Sequence, residues 1–158
     1  MTLCYLGLGS NLHSPQRQLR QAIASLHKLP STTIISVSSL YISKPCGVRW
    51  QPNYYNLVLA IHTSLPPTRL LHYCQAIENK QQRLRKKRWA ARTLDIDLLL
   101  YGKIIINSHE LIVPHPQMLL RDFVLVPLLQ ISPTAKLPNG TTIFSYTKQC
   151  KNNLIREA

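Results

Sequence analysis

Leu94-Asp95-Ile96-Asp97-Leu98-Leu99-Leu100-Tyr101 is the most informative part of the chain for its architecture. Its apolar content continues on both faces, as in a strand with little access to water, yet two carboxylates interrupt it. Residues i and i+2 of a strand project to the same side with Cα atoms roughly 6.5–7 Å apart, so Asp95 and Asp97 stand together. Like charges this close repel, and the flanking leucines strip them of water, so a cation must compensate. Upstream, Tyr54 to Thr63 and residues 32–42 are rich in β-branched and aromatic side chains and predict strands, with a loop from Ser43 to Pro52 between them. Residues 2–8 predict a further strand, ended by a turn at Gly9-Ser10-Asn11. Leu19, Ala22, Ile23 and Leu26 recur at helical spacing behind Ser14-Pro15, which predicts a helix over 14–28 with Ser14 as its cap. Pro66-Pro67 opens a second helix, with Leu70, Leu71, Cys74 and Ile77 on one face, fading near Gln81.

The order strand, helix, strand, strand, helix, strand is that of a ferredoxin-like α+β sandwich, expected here as a single domain over residues 1–158. Gly102-Lys103 predicts a tight turn into Ile104-Ile105-Ile106 as a hairpin partner of the Leu94–Tyr101 strand. After Pro114 a short helix containing Phe123, Val124, Val126, Leu128 and Leu129 is expected to break or kink near Pro127. The sandwich thus carries an added hairpin and C-terminal helices.

Lys and Arg number 19 against 6 Asp and Glu, a net charge of +13. With charged residues at only 16%, the imbalance reflects scarce acids more than abundant bases. Such a surface attracts polyanions, whether nucleic acid, acidic lipid or a phosphorylated small molecule. Cys4, Cys46, Cys74 and Cys150 are widely spaced and form no C-x-x-C pair, so they are expected as buried thiols in a reducing compartment. The N-terminus has no basic segment before an apolar run and no stretch approaches a membrane span, which predicts a soluble, cytoplasmic protein without membrane attachment.

Two explanations compete for Asp95 and Asp97. Salt bridges to nearby arginines would satisfy them. One or two Mg²⁺ ions explain better why two hard oxygen donors stand side by side, since Mg²⁺ takes a few carboxylates and completes its shell with water and phosphate oxygens. No His or Cys lies within the same few residues, so Zn²⁺ is disfavoured. Lys80 to Arg92 holds seven positive charges around Trp89. By itself this run fits a solvated loop or a nucleic-acid contact. It leads directly into Asp95, however, and arginines delivered beside paired carboxylates are the parts needed to neutralise a transferring phosphate group. The chain has no Walker A pattern, and Gly7-Leu8-Gly9-Ser10-Asn11 lacks the third glycine of a dinucleotide fingerprint. Alone, that segment fits a tight strand-to-helix turn.

Gly7-Leu-Gly-Ser-Asn-Leu12, Tyr54-Tyr-Asn56, Arg83-Leu-Arg85, Trp89-Ala-Ala-Arg-Thr-Leu-Asp-Ile-Asp97, Val113-Pro-His-Pro116 and Arg121-Asp-Phe-Val-Leu-Val-Pro-Leu128 occur in order from residue 5 to about 133. Together they resemble the hydroxymethyl-dihydropterin pyrophosphokinase family. The resemblance implies a ferredoxin-like monomer that moves the β,γ-pyrophosphate of ATP to the hydroxymethyl group of a reduced pterin, releasing AMP, with no need of nucleic acid. It implies that Asp95 and Asp97 hold two Mg²⁺ ions bridging the ATP phosphates. Arg83 and Arg92 would be the catalytic loop arginines, with Trp89 sealing the pterin site and Arg85 beside them on ATP. Tyr54 and Phe123 would sandwich the pterin ring, Asn56 would bond its edge, and the backbone from Ser43 to Pro45 would contact the same edge. Gln75, Glu78, Arg92, His115 and Arg121 match ATP-side positions. Gln82 and Ala90-Ala91 stand where the family usually has glycine and Gly-Pro, in a loop one residue shorter, which predicts a stiffer backbone there.

Overall fold

The computed structural model describes residues 1–45, 50–82 and 93–158, with the Gln82 side chain left out. The predicted order is found. Strand β1 (Thr2–Ser10) leads to helix α1 (Pro15–His27), then β2 (Thr32–Val37), β3 (Tyr41–Ser43) and β4 (Tyr54–Thr63). Helix α2 (Pro67–Gln82) returns the chain to β5 (Asp95–Tyr101). All strand pairs are antiparallel, and the main sheet runs β5-β1-β4, with β2 and β3 both paired to the far side of β4.

Several local expectations are corrected. Residues 32–42 are not one strand: the pairing partner on β4 slips by one residue within β2 and again between Val37 and Tyr41. Buried Ser38 fills the gap, its N–H donating to Val58 O at 2.9 Å while its Oγ accepts from Val58 N at 3.0 Å. Ile104–Ile106 does not pair with β5. Gly102 adopts φ 52° and its N–H donates to Leu3 O, turning the chain away. Ile106–Asn107 (β6) then pairs with Ile112–Val113 (β7), around a turn in which Ser108 bonds Leu111. Ser14 precedes α1 without a side-chain cap bond.

Each face of the sheet carries a core. Leu6 and Leu8 of β1, Leu57, Leu59 and Ile61 of β4 and Ile96 and Leu98 of β5 pack beneath Leu19, Ala22 and Leu26 of α1 and Leu70 and Cys74 of α2. On the opposite face Tyr5, Val58, Ala60 and Leu99 meet Val124, Leu125 and Leu128 of α3 (Asp122–Ile131) and Ile143 from a one-turn 3-10 helix. Helix α3 runs uninterrupted through Pro127. A strand with no counterpart in the sequence-based expectation, β8 (Leu154–Glu157), pairs antiparallel with β3 and extends the sheet. Cys4 and Cys74 are free and buried, with burial pushing both thiols up to about 12, so neither is a thiolate near neutrality. Cys150 is free and half-buried, and Cys46 lies outside the described residues. Among the described residues, no helix is long and apolar enough to cross a membrane.

Candidate active site

The sheet register builds the site. Gly9 of β1 faces Asn56 of β4 on one side and Asp95 of β5 on the other, and Gly7 likewise lies between Val58 and Asp97. Directly opposite residues of a sheet share a face, so the row Asp95-Gly9-Asn56 sets a carboxylate and an amide two strand spacings apart, roughly 9.5 Å, over a floor without side chains. The floor is constrained at Gly9, where an added Cβ would come within 3.0 Å of Asn56 Oδ1. Gly7 lies within β1 as expected, whereas Gly9 and Ser10 continue the strand instead of forming the expected turn, and the two glycines open a trough on the α3 face. A glycine inside a strand pattern is the signal that points to such a site.

The trough is a cleft of about 170 Å³ lined by Asp95, Asp97, Ser43, Tyr54, Asn56, Arg121 and Phe123 among others. Seven of the residues singled out from sequence thus meet in one place, drawn from β3, β4, β5 and the start of α3. Ser43 and Asn56 are buried, and Asn56 Nδ2 donates to Ser43 Oγ at 2.7 Å. This bond uses one amide N–H and leaves the other N–H and Oδ1 available, an adjacent donor and acceptor. Tyr54 and Phe123 contribute aromatic walls, and the Arg121 guanidinium lies 5.7 Å from the centre of the Phe123 ring. Lys44, Leu8, Leu57 and Val124 complete the lining with the two glycines; Lys44 is the added cation.

Two other expected residues are tied to β5. His115 Nε2 lies 3.9 Å from Asp97 Oδ1. Burial pushes this imidazole below its ordinary 6.5, with Asp97 opposing the shift and Arg121 reinforcing it. Glu78 of α2 accepts from the N–H of Ile96 at 2.9 Å, holding the residue between the two aspartates. Exposed Gln75 on α2 and half-buried Pro45 do not line the cleft. Arg83, Arg85, Trp89 and Arg92 lie outside the described residues.

Two anchors went unrecognised in the sequence. Ser10 Oγ donates to Thr93 O beside β5, and Asn11 Nδ2 donates to Gln51 Oε1 and Pro52 O, both at 3.1 Å. Their polarity at the buried end of a strand was the available signal. The donor set fits Mg²⁺: Asp95 and Asp97 are half-buried on one face of β5 and open to the cleft, with room left for phosphate and water oxygens. Among the described residues, no cluster of three or more His, Cys, Asp or Glu offers an all-protein metal cage.

Known proteins resemble the chain over most of its length. Residues 5–133 match the family model for 7,8-dihydro-6-hydroxymethylpterin-pyrophosphokinase. The chain is 46% identical over 149 residues to the 2-amino-4-hydroxy-6-hydroxymethyldihydropteridine pyrophosphokinase of Haemophilus influenzae, covering 94% of this chain and 93% of that one. It is 44% identical over 129 residues to the Bacillus subtilis protein of the same name, covering 82% of this chain and 77% of its relative. The fold superposes on a Plasmodium falciparum HPPK-DHPS crystal structure (A437G with STZ-DHP) with TM-score 0.74 at 14% identity, over 98% of this chain and 48% of that one. The chain thus spans about half of that longer protein, and the likeness establishes the fold. On the family match and the close relatives, the chain belongs to the 7,8-dihydro-6-hydroxymethylpterin-pyrophosphokinase family.

Proposed function

We propose that this chain, as a single monomeric domain in the cytoplasm, transfers the β,γ-pyrophosphoryl group of ATP to the hydroxymethyl oxygen of 6-hydroxymethyl-7,8-dihydropterin, without nucleic acid or membrane. The transfer is a step of folate biosynthesis. The pterin hydroxyl oxygen forms a bond to the β-phosphorus, the bond from that phosphorus to the α,β-bridging oxygen breaks, AMP departs with that oxygen, and the hydroxyl proton is released. No protein nucleophile is needed, so catalysis comes from positioning and electrostatics.

The observation that carries this reading is the row Asp95-Gly9-Asn56, which presents phosphate-side carboxylates and a pterin-side amide to one trough. The free N–H and Oδ1 of Asn56 match the alternating donors and acceptors of a pterin edge, and the bond to Ser43 fixes which way the amide points. Tyr54 and Phe123 take the faces of the flat ring, and the Ser43–Pro45 backbone borders its edge. Asp95 and Asp97 would hold two Mg²⁺ ions, which when bound would neutralise phosphate charge and align the reacting oxygens. Arg121, His115, Gln75, Glu78 and Arg85 serve the nucleotide side, with His115 acting as a neutral hydrogen-bonding group. Arg83 and Arg92 offset the charge of the transferring group, and Trp89 covers the pterin.

The deciding experiment incubates the chain with ATP, Mg²⁺ and the reduced pterin and identifies the nucleotide product. AMP in equal amount to pterin diphosphate is expected. ADP, or no product, would overturn the assignment. Omitting Mg²⁺ or adding a chelator should abolish AMP formation, and undiminished turnover would remove the metal from the proposal.

A further inference from the structure

Two sides of the pterin slot belong to different elements: its edge at Ser43 and Lys44, at the end of β3, and its Phe123 face, flanked by Arg121 and Val124, at the start of α3. Neither side is braced only by the core, because the last segment of the chain lies across both. On the β3 side, Ser43 pairs with Leu154, and Lys44 N–H donates to Asn153 O at 2.8 Å. On the α3 side, Lys151 N–H donates to Leu120 O at 2.9 Å. The central fastening is Asp122. The residue is 6% exposed, and its carboxylate Oδ2 accepts two backbone bonds, from Asn153 N at 2.9 Å and Leu154 N at 2.8 Å. Both are charge-assisted, and the first turn of a helix is a favourable place for the negative charge that makes them. Asp122 Oδ1 has no hydrogen-bond partner, so this buried acid is arranged around the two N–H groups of the last segment.

We propose that Asp122 is a positioning residue for the pterin: by clipping the segment Lys151–Glu157 to the start of α3, it sets where the Phe123 face of the slot stands relative to its β3 edge. The inference rests on the pyrophosphokinase reading for the identity of the ligand. The opposite end of α3 has its own attachment to the neighbourhood of β3. Gln130 Oε1 accepts from Ser39 N and from the Tyr41 hydroxyl, each at 2.9 Å, and Nε2 donates to Ser39 Oγ at 2.7 Å. Losing Asp122 therefore frees one end of a helix that stays docked through its core and through Gln130. The consequence is a misaligned slot in a folded protein. A misplacement of about 1 Å can cost ~10²-fold, and with one end still held the expected loss is about tenfold.

Asp122→Ala and Asp122→Asn test this in the full chain with two readouts. The first is amide hydrogen exchange. In Asp122→Ala, the Lys44 and Leu154 amides should exchange at least tenfold faster while β1 and β5 keep their protection; unchanged exchange at both amides overturns the clip, whatever the enzyme does. The second is steady-state kinetics. The pterin KM should rise about tenfold, at least three times more than the ATP KM, with kcat within about twofold. Asp122→Asn keeps an oxygen that can accept both N–H groups and should recover at least half of the loss on a logarithmic scale. A fall in kcat with both KM values unchanged, or no recovery with Asn, means Asp122 only stabilises the fold and overturns the inference. A parent chain that makes no AMP sinks the assigned function instead. An active parent whose Asp122→Ala variant keeps the parental pterin KM sinks this inference alone.

Discussion

At one end of the cleft Asp95 and Asp97 stand two residues apart on a single strand, whose backbone is locked to β1 and whose Ile96 N–H is taken by Glu78. At the other end Ser43, Asn56 and Phe123 come from β3, β4 and α3, and the packing of three elements must converge before they meet. The end proposed for phosphate is a local property of the chain, because strand alternation alone puts both carboxylates on one face. The end proposed for pterin is a tertiary property, held by hydrogen bonds between side chains far apart in sequence. The first kind of construction fails by loss of charge and the second by loss of alignment, so damage at the two ends should register in different kinetic constants.

The largest expected effect comes from Asp97→Asn, which keeps shape and removes charge. Metal-assisted charge stabilisation is worth several kcal/mol, and ~4 kcal/mol corresponds to about 10³-fold in rate. We expect kcat to fall by that order while pterin affinity, followed by fluorescence titration without nucleotide, stays within about twofold. Equal losses in both would show that the two ends are one electrostatic unit. Asn56→Ala should do the reverse. Losing bonds from a buried amide to substrate costs about 1–3 kcal/mol, so the pterin KM should rise roughly 5- to 150-fold with a smaller change in kcat.

The same contrast explains what the sequence disclosed. Asp95 and Asp97 were legible from the residues alone because two acids inside an apolar strand are anomalous in a chain holding only 6. The βαββαβ order followed from hydrophobic periodicity and from the prolines that open α1 and α2. Tyr54, Asn56 and Phe123 were legible only through the resemblance, since isolated aromatic and amide residues look like core or surface and nothing local places them together. Gly9 was visible but assigned to the turn after β1, because a glycine near a strand end fits a turn as well as a trough. The register across β4 and β5 makes the difference, and it is fixed by pairs some 40 to 90 residues apart. Strand β8 escaped notice because Leu-Ile-Arg-Glu lacks alternation; Asp122 and the edge of β3, neither of them local, give it a place.

Gly9→Ala probes the junction of the two ends. The new Cβ meets Asn56 Oδ1 at 3.0 Å, so the amide must give by a few tenths of an ångström. Overpacking of this kind costs about 1 kcal/mol, which should appear as a several-fold rise in pterin KM with kcat nearly unchanged. A dominant fall in kcat would mean that the floor belongs to the phosphate end, since Gly9 also faces Asp95.

The smallest kinetic effect is expected at Gln130, which steadies the far end of the helix carrying the pterin wall without approaching the cleft. Gln130→Ala removes its bonds to Ser39 and Tyr41. At about 1 kcal/mol for each bond, and less for those open to solvent, the melting temperature should drop by a few degrees while kcat and both KM values stay within twofold. Gln130→Glu keeps both acceptor contacts, and Ser39 can turn its hydroxyl to donate, so the melting temperature should stay within about a degree of the parent. A selective rise in pterin KM in Gln130→Ala would show that α3 transmits displacement along its whole length, making the pterin end dependent on both of its attachments rather than chiefly on the one at Asp122.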